Sequence, residues 1–112
     1  DADSLSVPAL RDLLGRDPAP LLLDVREWEE RAQGAIPGSM WVPLGDIMDG
    51  TGLDRLPPGA EIVVYCHAGV RSALARDVLE ERGWPGTRDL AGGILSWSAA
   101  GLETPPAREP RP

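Results

Sequence analysis

The chain has 112 residues, 42% hydrophobic and 26% charged, with a net charge of −7 from 11 basic and 18 acidic side chains. This length suits one domain whose core can form without disulfides or metals. The acidic balance excludes nucleic acid, which needs clustered basic charge, and no apolar run approaches the roughly 20 residues that cross a bilayer.

Ser6 is placed to cap a helix from about Val7 to Gly15, with Pro8 in its first turn and Leu10, Leu13 and Leu14 on its apolar face. Leu5 fits a short strand just before it. Pro18-Ala19-Pro20 is a connector. Leu21-Leu22-Leu23-Asp24-Val25 is a continuous apolar run, the pattern of a strand buried on both faces. Glu27 to Gln33 reads as a short polar helix, Gly34 to Gly38 as a turn, Met40-Trp41-Val42 as a third short strand, and Pro43 to Met48 as a helix of one or two turns. Asp49 to Gly59 is expected to be loop-rich.

Glu61-Ile62-Val63-Val64-Tyr65 is the second strongly apolar strand. The helix after it is expected to begin near Ser72 and run to Arg82, with Ala73, Leu74, Ala75, Val78 and Leu79 as one buried stripe and Gly83 as its end. Thr87 to Leu90 is a short strand, and a last helix spans Gly93 to Ala100. The proline-rich stretch Thr104 to Pro112 reads as an extended tail or linker. Trp28, Trp41, Trp84 and Trp97 are assigned to core or rim packing rather than to binding platforms. Strands alternating with helices predict an α/β fold: a central parallel sheet of about five strands with helices on both faces. Ligands bind such sheets at the carboxyl ends of their strands.

The chemistry concentrates in Cys66-His67-Ala68-Gly69-Val70-Arg71-Ser72, at the carboxyl end of the second apolar strand. Cys66 is the only cysteine. It can form no intramolecular disulfide and belongs to no zinc-type cluster. A lone thiol suits a reducing compartment, which points to the cytoplasm, or to the periplasm if a targeting segment has been removed. The chain opens on Asp1 rather than Met, which suggests processing, trimming or excision from something longer. At a strand-to-helix turn the thiol faces backbone N–H groups and the positive end of a helix dipole, both of which favour the nucleophilic thiolate.

Gly69 allows the loop to bend. Arg71 opposes the helix dipole at its position, so a nearby anion is expected, either the Cys66 thiolate or a substrate oxyanion. His67 is read as a rim residue shaping substrate entry, with a Cys–His catalytic pair as the less favoured alternative. Ser72 is read as the helix N-cap, with a contact to the sulfur as a secondary role. Asp24 and Arg26, at the end of the first long strand, are read as a structural ion pair.

Four segments together resemble the rhodanese-like sulfurtransferase family: Leu23-Asp24-Val25-Arg26-Glu27, Ile36-Pro37-Gly38-Ser39, the Cys66 to Ser72 loop with its preceding strand, and Leu90-Ala91-Gly92-Gly93-Ile94 followed by Trp97. They occur in the family's order across Leu5 to Leu102. The resemblance implies a single rhodanese-like domain over residues 1–103 and a tail over 104–112. Family members often carry histidine before the Ile-Pro-Gly turn, where this chain has Ala35, so packing at that turn is expected to differ. His67, Ala68 and Val70 are less basic than their counterparts in some members, which weakens the case for thiosulfate in particular.

The resemblance implies sulfur transfer by a Cys66 persulfide cradled by the amides of Ala68 to Ser72, with Arg71 at the anion and no metal or organic cofactor. A small anionic sulfur donor such as thiosulfate, or another protein's persulfide, would load Cys66, and a thiol, cyanide or partner protein would unload it. The expected state is a monomer or weak dimer. A related phosphatase and arsenate-reducing branch has a loop one residue longer, wide enough for a tetrahedral phosphate, and is the less favoured alternative. A carrier or regulatory module of a larger sulfur-transfer protein is the other.

Overall fold

The structure is a computed structural model in which residues 3–110 are described. Its centre is a five-stranded sheet in the order β1-β5-β4-β2-β3, parallel at every pairing. The strands are β1 (Ser4–Leu5), β2 (Leu21–Asp24), β3 (Met40–Trp41), β4 (Ile62–Tyr65) and β5 (Arg88–Leu90). The helices are α1 (Val7–Leu14), α2 (Trp28–Gln33), α3 (Leu44–Met48), α4 (Val70–Glu81) and α5 (Gly93–Ala99). The expected parallel α/β sheet with helices on both faces is therefore present. The loop-rich stretch after α3 holds one 3-10 turn at Leu53–Arg55.

Side-chain alternation along β4 explains why this run is apolar throughout. Ile62 and Val64 point to the face covered by Ala75 and Leu79 of α4, while Val63 and Tyr65 point to the face covered by Leu10 of α1 and by Ile94 and Trp97 of α5. All four β4 residues are buried. Burying each large aliphatic side chain contributes about 1.5–3 kcal/mol of transfer free energy, so this strand anchors both halves of the core. Cys66 continues the alternation onto the α4 face.

The chain leaves β2 toward β3 on one side and leaves β4 toward β5 on the other. The carboxyl ends of β2 and β4, paired at Asp24 and Tyr65, therefore form the switch point where open α/β sheets hold ligands. Asp24, Arg26 and Cys66 all lie there.

Local expectations fare unevenly. Ser6 caps α1 as expected, its hydroxyl accepting from the Ala9 amide. The helix after β4 starts two residues earlier than expected, because Gly69 takes a left-handed conformation (φ 108°) and becomes the N-cap. The expected stripe on it is also corrected: Leu74 is 49% exposed, and the buried positions are Ser72, Ala75 and Leu79. Leu74 projects away from the face that these three residues share. Trp84 and Trp97 are buried and Trp28 meets Trp41 edge-on at 5.3 Å, in line with packing roles.

The proline-rich stretch is not a free linker. Pro105 accepts from the Ala35 amide at 2.8 Å, Ala107 donates to the Arg31 carbonyl, and Glu109 pairs with Arg31. Ala35, where the resemblance leads to an expected change in packing, is thus packed under this segment. Arg111 and Pro112 of the expected tail, and Asp1 and Ala2 at the other end, lie outside the described residues. Among the described residues, no helix is long and apolar enough to cross a membrane.

Candidate active site

The β4–α4 loop places Cys66 at the floor of the switch point, 1% exposed. The Gly69 amide donates to its Sγ at 3.1 Å and the Ser72 amide at 3.4 Å. The thiol in turn lies 3.4 Å from Ser72 Oγ, whose hydroxyl donates to the Gly69 carbonyl. A hydroxyl rotates freely, so it can donate to the sulfur once the thiol proton leaves. Burial pushes the Cys66 thiol up, but the Ser72 hydroxyl and the amides of Ser72, Gly69 and Ala68 outweigh it, and the net shift is downward. Ser72 is therefore not the N-cap. It is the third residue of α4, and its hydroxyl and amide both serve the sulfur.

A second contact fixes the loop from behind. The Ile94 amide donates to the Cys66 carbonyl at 2.9 Å and the Leu95 amide to the His67 carbonyl at 3.1 Å. This close approach needs glycine at position 93, where a Cβ would come within 2.6 Å of the Cys66 carbonyl oxygen and φ is 62°.

Arg71 departs from expectation. Its fork is engaged by the Glu30 carboxylate, with Nη1 to Oε1 at 2.6 Å and Nη2 to Oε2 at 2.8 Å, while its charge also acts on Cys66 through space. Glu30 is fixed from its own side by the first turn of α2. Its Oε1 accepts from the Glu27 amide, and the Glu27 side chain accepts from the Glu30 amide. The Arg71 hydrogen bonds hold the Glu30 carboxyl down at about 2, so it is charged throughout the neutral range. Sequence reasoning missed Glu30. The Glu27-x-x-Glu30 spacing signals a helix start, but nothing in it signals a partner 41 residues away.

His67 is exposed and forms no hydrogen bond with Cys66 among the described residues, which disfavours a Cys–His pair. It lines a cleft of about 320 Å³ with Arg26, Glu30, Leu95 and Thr104 among its walls. Ala68 and Val70 are exposed at the loop's outer edge, Val70 at 74%.

Asp24 and Arg26 form the expected ion pair, but as part of a larger cluster. Arg26 grips Asp24 through Nε to Oδ1 at 3.0 Å and Nη2 to Oδ2 at 2.9 Å. Arg31 Nη1 and the Tyr65 hydroxyl each donate to Oδ2 at 3.1 Å. Asp24 is fully buried and both arginines nearly so. Tyr65 has its hydroxyl driven up to about 12, first by burial and then by the Asp24 charge. It also receives the Ile36 amide, which ties the Ile-Pro-Gly turn to β4.

Comparison with known proteins agrees with the fold. The profile of the Rhodanese-like domain matches residues 6–100. A sulfurtransferase of Allochromatium vinosum is 35% identical over 82 residues, covering 73% of this chain and 75% of its own. Human thiosulfate:glutathione sulfurtransferase is 32% identical over 108 residues, covering 86% and 93%. The crystal structure of a rhodanese-related protein from Thermoplasma volcanium superposes with a TM-score of 0.80 at 29% identity, covering 91% of this chain and 96% of that one.

Proposed function

The chain belongs to the rhodanese-like family and is a sulfurtransferase of that type, and from this premise we propose that Cys66 is its nucleophile and carries the sulfur as a persulfide. The observation that supports this reading is the ring of Gly69 and Ser72 amides and the Ser72 hydroxyl around Sγ. Such a ring stabilises negative charge on sulfur before attack and on the persulfide after it.

The first half-reaction is attack of the Cys66 thiolate on the outer sulfur of a donor. With thiosulfate, the donor S–S bond breaks, a Cys66–S bond forms, and the electron pair leaves on sulfite. Three negative charges enter and three remain. In the second half-reaction an acceptor thiolate attacks the outer sulfur of the Cys66 persulfide and regenerates the Cys66 thiolate. Cyanide can replace the thiolate and leaves as thiocyanate. Neither step requires a metal or organic cofactor. The cleft beside His67 is the approach for donor and acceptor, and the loop residues Ala68, Gly69, Val70 and Ser72 next to His67 receive the transferred sulfur. Asp24, Arg26 and Arg31 hold the neighbouring strand end rigid and take no part in the chemistry.

The test is intact-mass measurement after incubation with thiosulfate and, separately, with cysteine persulfide. Wild type gains one sulfur that cyanide removes, and Cys66→Ser gains none. Failure of wild type to gain sulfur from either donor would overturn the proposal.

A further inference from the structure

Sulfur transfer through Cys66 makes no direct use of Glu30, yet Glu30 stands on the wall of the cleft beside His67 and engages both outer nitrogens of the Arg71 guanidinium. Arg71 is the cation nearest the mouth of the loop by sequence, two residues after the Gly69 that donates to Sγ. A guanidinium fork that already holds a carboxylate bidentately has its best anion-binding geometry occupied. The carboxylate has no easy way to swing clear, because Oε1 also accepts from the Glu27 amide at the start of α2.

We propose that Glu30 is a positioning residue that sets donor specificity: by filling the Arg71 fork it disfavours dianionic donors such as thiosulfate and leaves Cys66 to draw sulfur from thiol persulfides. The inference rests on the reading of Cys66 as the sulfur carrier.

The two donor classes make opposite demands on this pair. Thiosulfate arrives with two charges and releases sulfite, also a dianion. It must either displace Glu30 from Arg71 or lie beside a fixed carboxylate, and like charges brought together at a partly dehydrated surface repel strongly. The overall charge of −7 adds to the same bias. A protonated thiol persulfide arrives without that charge. Cys66–S⁻ and R–S–SH give Cys66–S–SH and R–S⁻: the donor S–S bond breaks, the Cys66–S bond forms, the electron pair leaves on the donor thiolate, and the proton stays on the transferred sulfur. One negative charge enters and one leaves, and no free oxyanion needs the Arg71 fork.

Glu30→Gln is the discriminating variant. Glutamine keeps the hydrogen bond to the Glu27 amide, so the helix start survives, while the charge is lost. With cyanide as acceptor and thiocyanate as the readout, kcat and KM are measured for thiosulfate and for cysteine persulfide. The expected result is a rise of about tenfold in the thiosulfate-to-persulfide ratio of kcat/KM, carried mainly by a lower KM for thiosulfate. An unchanged or lowered ratio in Glu30→Gln would overturn the inference, as it would mean that Glu30 merely steadies Arg71 for the anion. Sulfur loading of the wild type, read by intact mass beforehand, keeps the two failures apart. No loading at all refutes the Cys66 carrier, whereas normal loading with an unaltered ratio refutes only the role of Glu30.

Discussion

Two anionic centres lie side by side at the carboxyl ends of β2 and β4, and they are held in opposite ways. Asp24 is gripped by two guanidinium groups and a tyrosine hydroxyl, all buried. The Cys66 sulfur accepts hydrogen bonds from the neutral Gly69 and Ser72 amides and donates its thiol proton to the Ser72 hydroxyl. Full opposing charges lock a carboxylate into the structure, where its value is rigidity. Neutral dipoles favour a thiolate without capping it by a counter-ion, which leaves the sulfur nucleophilic. Arg71 of the loop pairs with Glu30 at the rim and reaches the sulfur only through space.

The comparison breaks first at Asp24. Asp24→Asn keeps the shape but leaves Arg26 and Arg31 without their shared carboxylate, which is expected to cost about 3–5 kcal/mol of stability. Urea denaturation measures this. The pH midpoint of Cys66 alkylation in the folded variant should stay where it is in wild type. A shift in that midpoint would show that the two centres are coupled electrostatically rather than only adjacent.

Ser72→Ala sharpens the other side. The variant loses one donor to the thiolate, so the thiol becomes a weaker acid and the alkylation midpoint moves to higher pH, by about one unit for a hydrogen bond to a charged group. Stability should change less than in Asp24→Asn. An unmoved midpoint would mean that the amides alone set the thiol's acidity.

The two centres also differ in how far the sequence disclosed them. The sulfur cradle is local: cysteine, glycine and serine within seven residues, after an apolar run that can only be a buried strand. Its parts were therefore readable, and only the start of α4 was misplaced, because the left-handed turn at Gly69 begins the helix before Ser72. The Asp24–Arg26 pair is equally local. What extends it is not: Tyr65 reaches Asp24 across 41 residues, and Arg31 reaches Glu109 across 78. The Arg71–Glu30 pair has the same character. Leu74 misled for a related reason, since the apolar count on α4 does not reveal which side of the helix meets β4, and Ser72, Ala75 and Leu79 take that side. Strand order was not legible either, because β1 to β5 pairing depends on where crossovers land.

The claim that neutral dipoles hold an activated sulfur at Cys66 is tested most directly by the pH dependence of sulfur loading, followed by intact mass against cysteine persulfide. Because the folded thiol is a stronger acid than a free cysteine, the midpoint of the rise in loading rate with pH should fall below the ordinary thiol midpoint of about 8.5. A midpoint at or above that value, as for an unperturbed thiol, would contradict the account.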